Sequence, residues 1–252
     1  MESALEIRVA AELRLFVTAR RRAARGRHPR TPAGGNSLLV PYDGTSTVGH
    51  VVESAGIPLT EVGGIVAGGR AREAAYRPRE GDVIEVAAVS RPEALYSPRF
   101  TLDVHLGALA RRLRLVGVDA AYANDIDDDA LIDHANAEHR VLLTQDRQLL
   151  HRRALWRGAY VRGALPEDQL RDVLDRFAPP LAPWTRCTAC NGMLTRVPKG
   201  DVEHDLEPGT RRRYQDFSRC TACGRLYWRG AHSGRIHAIV DTAMRAVAAR
   251  SR

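Results

Sequence analysis

All four cysteines of the chain fall in two Cys-x-x-Cys pairs, Cys187 with Cys190 and Cys220 with Cys223, and 29 residues separate the pairs. Each pair has the span of one metal-binding knuckle. Four thiolates complete a tetrahedral Zn²⁺ shell, so the spacing predicts a closed, structural zinc site held by two β-hairpins. Disulfide pairing is the competing arrangement, disfavoured by the spacing and by a reducing compartment. His204, His232 and His237 are further nitrogen donors, for which four thiolates leave no vacancy.

A second set of chemistry-bearing residues is acidic. Asp103, Asp125 and Asp146 each follow a short apolar run, and six aspartates lie between Asp119 and Asp133, including Asp127, Asp128 and Asp129. Crowded carboxylates oppose folding unless a cation offsets them, and a hard divalent ion with oxygen ligands, Mg²⁺ or Mn²⁺, is the expected resolution. Taken singly, Asp129 and Asp146 also fit helix caps, and Asp127 and Asp128 fit solvated loop charges, Asp127 above all. Independent caps need not converge on one edge, however, which favours a shared role for Asp103, Asp129 and Asp146. Other acidic chemistries drop out by subtraction. The only lysine, Lys199, lies beyond this segment, which removes a phosphoacceptor receiver. There is no Gly-Lys-[Ser/Thr], no second Asp in Asp103-Val-His105, and no Gly-x-Ser-x-Gly. Metal-assisted phosphodiester chemistry remains.

The elements that must position these residues read as follows. From Phe100 to Phe177 strands alternate with helices: Phe100 to Leu102, a helix with Leu106, Leu109, Ala110 and Leu113 on one face, Ala120 to Tyr122, and a helix from Asp129 to Glu138. Val141 to Thr144, a helix from Arg147 to Arg153, a strand from Ala159 to Arg162 and a helix from Pro166 to Phe177 complete the series. This pattern predicts a parallel sheet covered on both sides, with ligands beyond the carboxyl ends of its strands, where chain order puts the aspartates. The first segment reads as strands at Leu5 to Ala10, Leu38 to Tyr42, Val62 to Ala67 and Asp82 to Val89, with helices at Glu12 to Thr18 and Thr47 to Ala55. Composition breaks at Ser90 to Pro98 and Ala178 to Pro183 mark linkers. Three parts follow: an α+β domain over residues 1–90, an α/β domain over 99–178, and a zinc ribbon over 184–235 with a C-terminal helix over 236–250.

In the first part, AELRLFV, GIPLTEVGGIVAGG and YRPREGDVIEV resemble a ubiquitin-like β-grasp domain of the sulfur-carrier type. Such carriers act through a free C-terminal Gly-Gly. Here the last strand runs on into SRPEAL, so sulfur transfer is not expected, and Gly68-Gly69 is expected to form a turn. The runs RFTLDVHLGALARRLRLVGVDAAYAND and DDDALIDHANAEHRVLLTQDRQLL, with RCTACNG and DFSRCTACGRLYWRGAH, resemble the Mut-seven C-terminal RNase domain family of PIN-like nucleases. The resemblance covers nearly the whole chain and implies a β-grasp domain, a PIN-like domain and a zinc ribbon in that order. It further implies one or two Mg²⁺ or Mn²⁺ ions in an acidic pocket and cleavage of single-stranded RNA. By position, Asp103 matches the first-strand acid, Asp129 the acid that opens the middle helix, and Asp146 the acid after the hydrophobic strand. Asp125 and Asp128 are the candidates for a supporting carboxylate. Two departures stand out: Gln145, where relatives often carry Arg, which bears on substrate affinity more than on metal binding, and the Gly-Ala-His-Ser run, where a Trp often follows the His.

The 252 residues, 44% hydrophobic and 27% charged, suit a folded multidomain protein and exclude a disordered or collagen-like chain. No apolar run approaches the ~20 residues of a membrane span, and Glu2, Glu6 and Glu12 interrupt any signal-peptide core, so a cytoplasmic protein is expected. The net charge of +8 is concentrated at the end, where residues 181–252 hold 13 basic and 6 acidic side chains. That surplus favours a polyanion, RNA above all, although the near-exclusive use of Arg also fits a codon bias. Arg111, Arg112 and Arg147 near the acidic edge, and Arg211, Arg212 and Arg213 beside Tyr214 in the ribbon, are the candidate phosphate contacts. Arg225-Leu-Tyr-Trp-Arg229 mixes cations with rings in the same way, with Trp228 equally suited to a ribbon core. The β-grasp domain is a candidate site for a protein partner. Two other functions fit the same residues: a non-catalytic RNA-binding adaptor acting through the ribbon, and hydrolysis of a nucleotide or small phosphate.

Overall fold

The computed structural model describes residues 4–17, 37–95, 98–228 and 233–250. The arginine-rich run RRRAARGRHPR from Arg20 to Arg30, expected from its sequence to be a solvated loop or a fraying helix end, and His232 lie outside them. The chain divides into two compact units, Met1–Ser90 with Asp146–Tyr160, and Arg91–Gln145 with Val161–Arg252.

The first unit is a five-stranded mixed sheet in the order β2-β1-β5-β3-β4. Alternation in β1 (Ala4–Val9) and β2 (Ser37–Pro41) turns Leu5, Ile7, Val9, Leu38 and Val40 inward. Helix α1 (Val48–Ser54) starts at Thr47, whose side chain accepts the His50 N–H, and adds Val48, Val51 and Val52 to the same core. Strands β3 (Val62–Ala67) and β4 (Arg70–Arg72) meet at Gly68-Gly69, both with positive φ, which makes the expected turn a tight two-residue hairpin. Strand β5 (Val83–Ala88) runs parallel to β1 and antiparallel to β3, closing the β-grasp arrangement.

In the second unit β6 (Phe100–Leu102) pairs in parallel with β7 (Ala120–Tyr122) and β8 (Val141–Thr144). Every residue of β6 and β8 is buried, as befits strands covered on both faces. Helix α2 (Gly107–Leu115) buries Leu109, Ala110 and Leu113, and α3 (Asp128–Ala137) buries Leu131, Ile132 and Ala135. The chain then contributes Asp146–Tyr160 to the first unit. There the expected helix over Arg147 to Arg153 is only one 3-10 turn, Leu149–His151, followed by β9 (Gly158–Tyr160). The Asp146 carboxylate takes the Gln148 N–H at 2.7 Å and closes the chain into a tight turn, which ends helical growth early.

Back in the second unit, α4 (Pro166–Phe177), with Pro at its start, buries Leu170, Val173, Leu174 and Phe177, the last against Phe100 at 5.1 Å between ring centroids. The C-terminal part is an antiparallel sheet of β10 (Leu194–Val197), β11 (Phe217–Cys220) and β12 (Leu226–Trp228), with a short helix α5 (Pro208–Arg213) before β11. Its core is Val202, Leu206 and Phe217. Trp228 is not part of that core: it is 42% exposed. Helix α6 (Ser233–Ala248) packs on α4 and buries Val240 and Ala243. No helix among the described residues is long and apolar enough to cross a membrane.

Candidate metal centre and candidate active site

Cys187 precedes β10, Cys220 ends β11, and the turns after each carry Cys190 and Cys223. The four sulfur atoms lie within 4.8 Å of one another, with Cys187 to Cys223 at 3.7 Å and Cys190 to Cys220 at 3.4 Å. A disulfide needs about 2.05 Å. Four sulfurs at ~2.3 Å from one tetrahedral ion stand about 3.8 Å apart, so the spacing is that of a metal shell such as zinc takes. Backbone N–H groups point at the sulfurs, Cys190 at Cys187, and Ala222 and Cys223 at Cys220, at 3.4 to 3.5 Å. Burial works against a Cys187 thiolate, but the Tyr227 hydroxyl at 3.0 Å and those N–H groups outweigh it and bring the pKa to about 6. Burial and the neighbouring thiols push Cys190 up to about 12, whereas N–H donors outweigh burial at Cys220 and lower it. Cys187 and Cys220 are thus the readier thiolates of the set, and Cys190 the least ready. No histidine is needed: exposed His204 pairs with Asp205, and the His237 ring lies 5.3 Å from that of Trp184.

The first knuckle is anchored to the amino edge of the parallel sheet. The fully buried Arg114 of α2 donates to the carbonyls of Ala120 at 2.8 Å and Ala189 at 2.7 Å. Asp119, just before β7, accepts from Arg140 at 2.6 Å, Asn191 at 2.8 Å and Arg186 at 3.3 Å. One of the six clustered aspartates is therefore neutralised by arginines rather than left for an ion. Burial alone would raise its pKa, but Arg140 and Asn191 outweigh that and hold it low.

The carboxyl edge is different. Asp103 follows β6, the central strand, and is 6% exposed. One of its oxygens accepts the Thr144 hydroxyl at 2.6 Å, and no cationic side chain among the described residues pairs with it. The loop after β7 carries exposed Asp125, and α3 opens with Asp128 and Asp129 in its first turn, both exposed. The cap is Asp127, not Asp129 and not a free loop charge: its side chain accepts the Ala130 N–H at 2.9 Å. Parallel pairing of β6 and β7 puts Asp103 and this loop on the same edge. The carboxylates that this unit contributes, Asp103, Asp125, Asp128 and Asp129, do not form a second group as tight as the cysteines. Gln145, where a cation was missed, donates its amide to the carbonyls of Val161 at 3.0 Å and Gly163 at 2.8 Å and so braces the end of β8. In the first unit Asp146 is exposed.

The arginines sort by partner. Arg112 reaches Glu167 at 2.6 Å, and Arg147 lies over the rings of Phe16 and Tyr160 at 5.7 and 5.6 Å, so both have local roles. Arg111, Arg212 and Arg213 are exposed and Arg211 half-buried. Sequence reasoning missed Thr144, Arg114, the Asp119 hub and the Tyr227 hydroxyl. Only Thr144 had a signal, as the polar residue closing an apolar strand.

Residues 98–240 match the family model described as Mut7-C RNAse domain, and residues 2–93 match that described as Mut7-C ubiquitin. No curated protein and no solved structure matches the chain. A ubiquitin-like sheet, a parallel sheet with an acidic carboxyl edge and a four-cysteine cluster thus occur in one chain, and that chain belongs to the Mut7-C RNAse domain family.

Proposed function

We propose that the protein is a metal-dependent, PIN-like ribonuclease that hydrolyses phosphodiester bonds of single-stranded RNA, with zinc in the four-cysteine cluster. Membership of an RNAse-domain family supports a nuclease, and the observation that carries the metal site is Asp103. A nearly buried carboxylate with one hydroxyl donor and no cationic neighbour among the described residues is costly unless a cation joins it. Its oxygen donor suits a hard ion, Mg²⁺ or Mn²⁺, which would be held by Asp103 and Asp129 with Asp125 or Asp128 in support. Asp146, two residues past β8 in the chain, is the third ligand on grounds of family position. When bound, the ion supplies positive charge against the phosphate and acidifies a water. Thr144 fixes which Asp103 oxygen faces the edge, and the α3 N-terminus favours a phosphate anion beside it. Exposed Arg111 offers a phosphate contact.

The test compares Asp103→Asn, which keeps an acceptor for Thr144, and Asp146→Asn with the parent in Mn²⁺-dependent cleavage of a labelled single-stranded RNA. Each variant should lose about 100-fold or more in rate with unchanged melting. Equal rates in folded Asp103→Asn would reject the site.

A further inference from the structure

The connection from β8 to β9 carries Asp146 near its start, and its one regular turn is Leu149–His151. A long connection with so little structure of its own takes its conformation from what it packs against. Three contacts tie it to the β-grasp domain within the first unit. At its start the Arg147 guanidinium lies 5.7 Å from the ring of buried Phe16 and 5.6 Å from that of Tyr160. Midway, His151 Nδ1 stands 3.8 Å from Glu53 of α1. At its end the Tyr160 N–H donates to Glu61 at 2.8 Å, and the Tyr160 ring meets Phe16 edge-on with centroids 5.3 Å apart.

Glu61 is the least expected of these. It closes the turn Leu59–Glu61 and is 1% exposed. A domain that had only to fold would be served better by an apolar residue at such a position, because burying a carboxylate is costly. Here the carboxylate instead fixes a backbone N–H 99 residues further along the chain. The rings and the cation act on the other end of the segment, where they restrict Arg147.

Arg147 adjoins Asp146, whose carboxylate takes the Gln148 N–H at 2.7 Å. On the other side Gln145 is held by the Val161 and Gly163 carbonyls. With its own turn closed and both neighbours held, the Asp146 side chain has few orientations left. A ligand ordered in advance loses less conformational freedom when it takes up an ion.

We infer that the β-grasp domain is a positioning element of the nuclease, in which Phe16, Glu61 and Arg147 hold the Asp146–Tyr160 segment so that Asp146 meets the divalent ion already oriented. The inference rests on the proposed function, which makes Asp146 a metal ligand. Phe16, Glu61 and Arg147 act through Asp146 and are positioning residues.

The experiment uses the full, zinc-loaded chain and follows Mn²⁺ binding by electron paramagnetic resonance without RNA, so that a phosphate contact by Arg147 does not enter. Asp146→Asn should weaken Mn²⁺ about 10-fold or more, and Arg147→Ala and Glu61→Ala each about 10-fold. Glu61→Gln, which keeps an acceptor for the Tyr160 N–H, should restore most of the affinity. Arg147→Ala added to Asp146→Asn should weaken Mn²⁺ no further, because the two act as a unit. Arg147 is only half-buried, so its variant decides the matter if Glu61→Ala does not fold. Parent-like Mn²⁺ affinity in folded Arg147→Ala, with Asp146→Asn impaired, would overturn the positioning and leave the nuclease standing. The full Arg147→Ala loss on top of Asp146→Asn would also overturn it, as a general softening of the fold. Parent-like affinity in Asp146→Asn itself would remove the Asp146 ligand and the inference together.

Discussion

Replacing Asp119 by Ala tests whether the amino edge holds the parallel sheet and the ribbon together. The substitution removes acceptors from Arg140 at 2.6 Å, Asn191 at 2.8 Å and Arg186 at 3.3 Å at once. Stripping one partner from a buried pair costs roughly 3 to 5 kcal/mol. Arg140 keeps Glu138 at 2.6 Å and the Phe100 carbonyl, and Asp119 is partly solvated, so the lower end applies, about 3 kcal/mol. For a chain of this size that is about 6 to 12 °C in melting temperature. The assay is urea and thermal unfolding followed by tryptophan fluorescence, with zinc in excess because metal occupancy is linked to folding. The effect should also depend on pH. The folded pKa of Asp119 is held below its unfolded value of about 3.9, so its contribution is full above that value and disappears as pH falls through the folded pKa. The gap between parent and variant should accordingly close below about pH 4. Arg140→Met in both backgrounds should show coupling of about 1 kcal/mol or more. A loss under about 0.5 kcal/mol at pH 7, or additive effects of Asp119→Ala and Arg140→Met, would refute the hub.

Two further outcomes follow from single contacts. Tyr227→Phe removes the hydroxyl 3.0 Å from Cys187 and should raise the zinc dissociation constant about 10-fold, read by competition with a chromophoric chelator. Gly107→Ala would place a methyl group 2.6 Å from the Tyr122 hydroxyl, which donates to the Val104 carbonyl at 2.8 Å, and should cost about 1 to 3 kcal/mol in urea unfolding while displacing the turn that follows Asp103. Stability equal to the parent would show that Tyr122 moves aside freely.

Short-range features were legible in the sequence. Two Cys-x-x-Cys pairs specify their own knuckles, and fully apolar runs such as Val141 to Leu143 predict strands buried on both faces. Within Asp127-Asp128-Asp129 the composition is the same at three positions, and only the turn geometry selects Asp127 as the residue whose carboxylate reaches the Ala130 N–H. The 3-10 turn at Leu149–His151 was hidden because Arg147 to Arg153 has ordinary helix formers, while the carboxylate that shortens it belongs to Asp146. Asp119 was unreadable for another reason. Its partners lie 21, 67 and 72 residues on, so a count of local charge assigned it to an acidic cluster that the folded chain takes apart.

That dissection gives the two ends of one short sheet opposite characters. At the amino edge Asp119, Arg114 and Arg140 are saturated by arginines, an asparagine and carbonyls, and the ribbon is fastened there. At the carboxyl edge the side-chain partner of Asp103 among the described residues is a threonine, and the loop and first turn beyond β7 present Asp125, Asp128 and Asp129 to solvent. Satisfied polar networks rigidify, whereas a buried carboxylate short of a partner is tolerated only where something else repays it. Substitutions at the first edge should therefore move stability before activity, and those at the second should move activity with stability unchanged or improved. Asp103→Asn is the sharpest case: it removes the unpaired charge but keeps the Thr144 bond, so in metal-free buffer it should melt no lower than the parent.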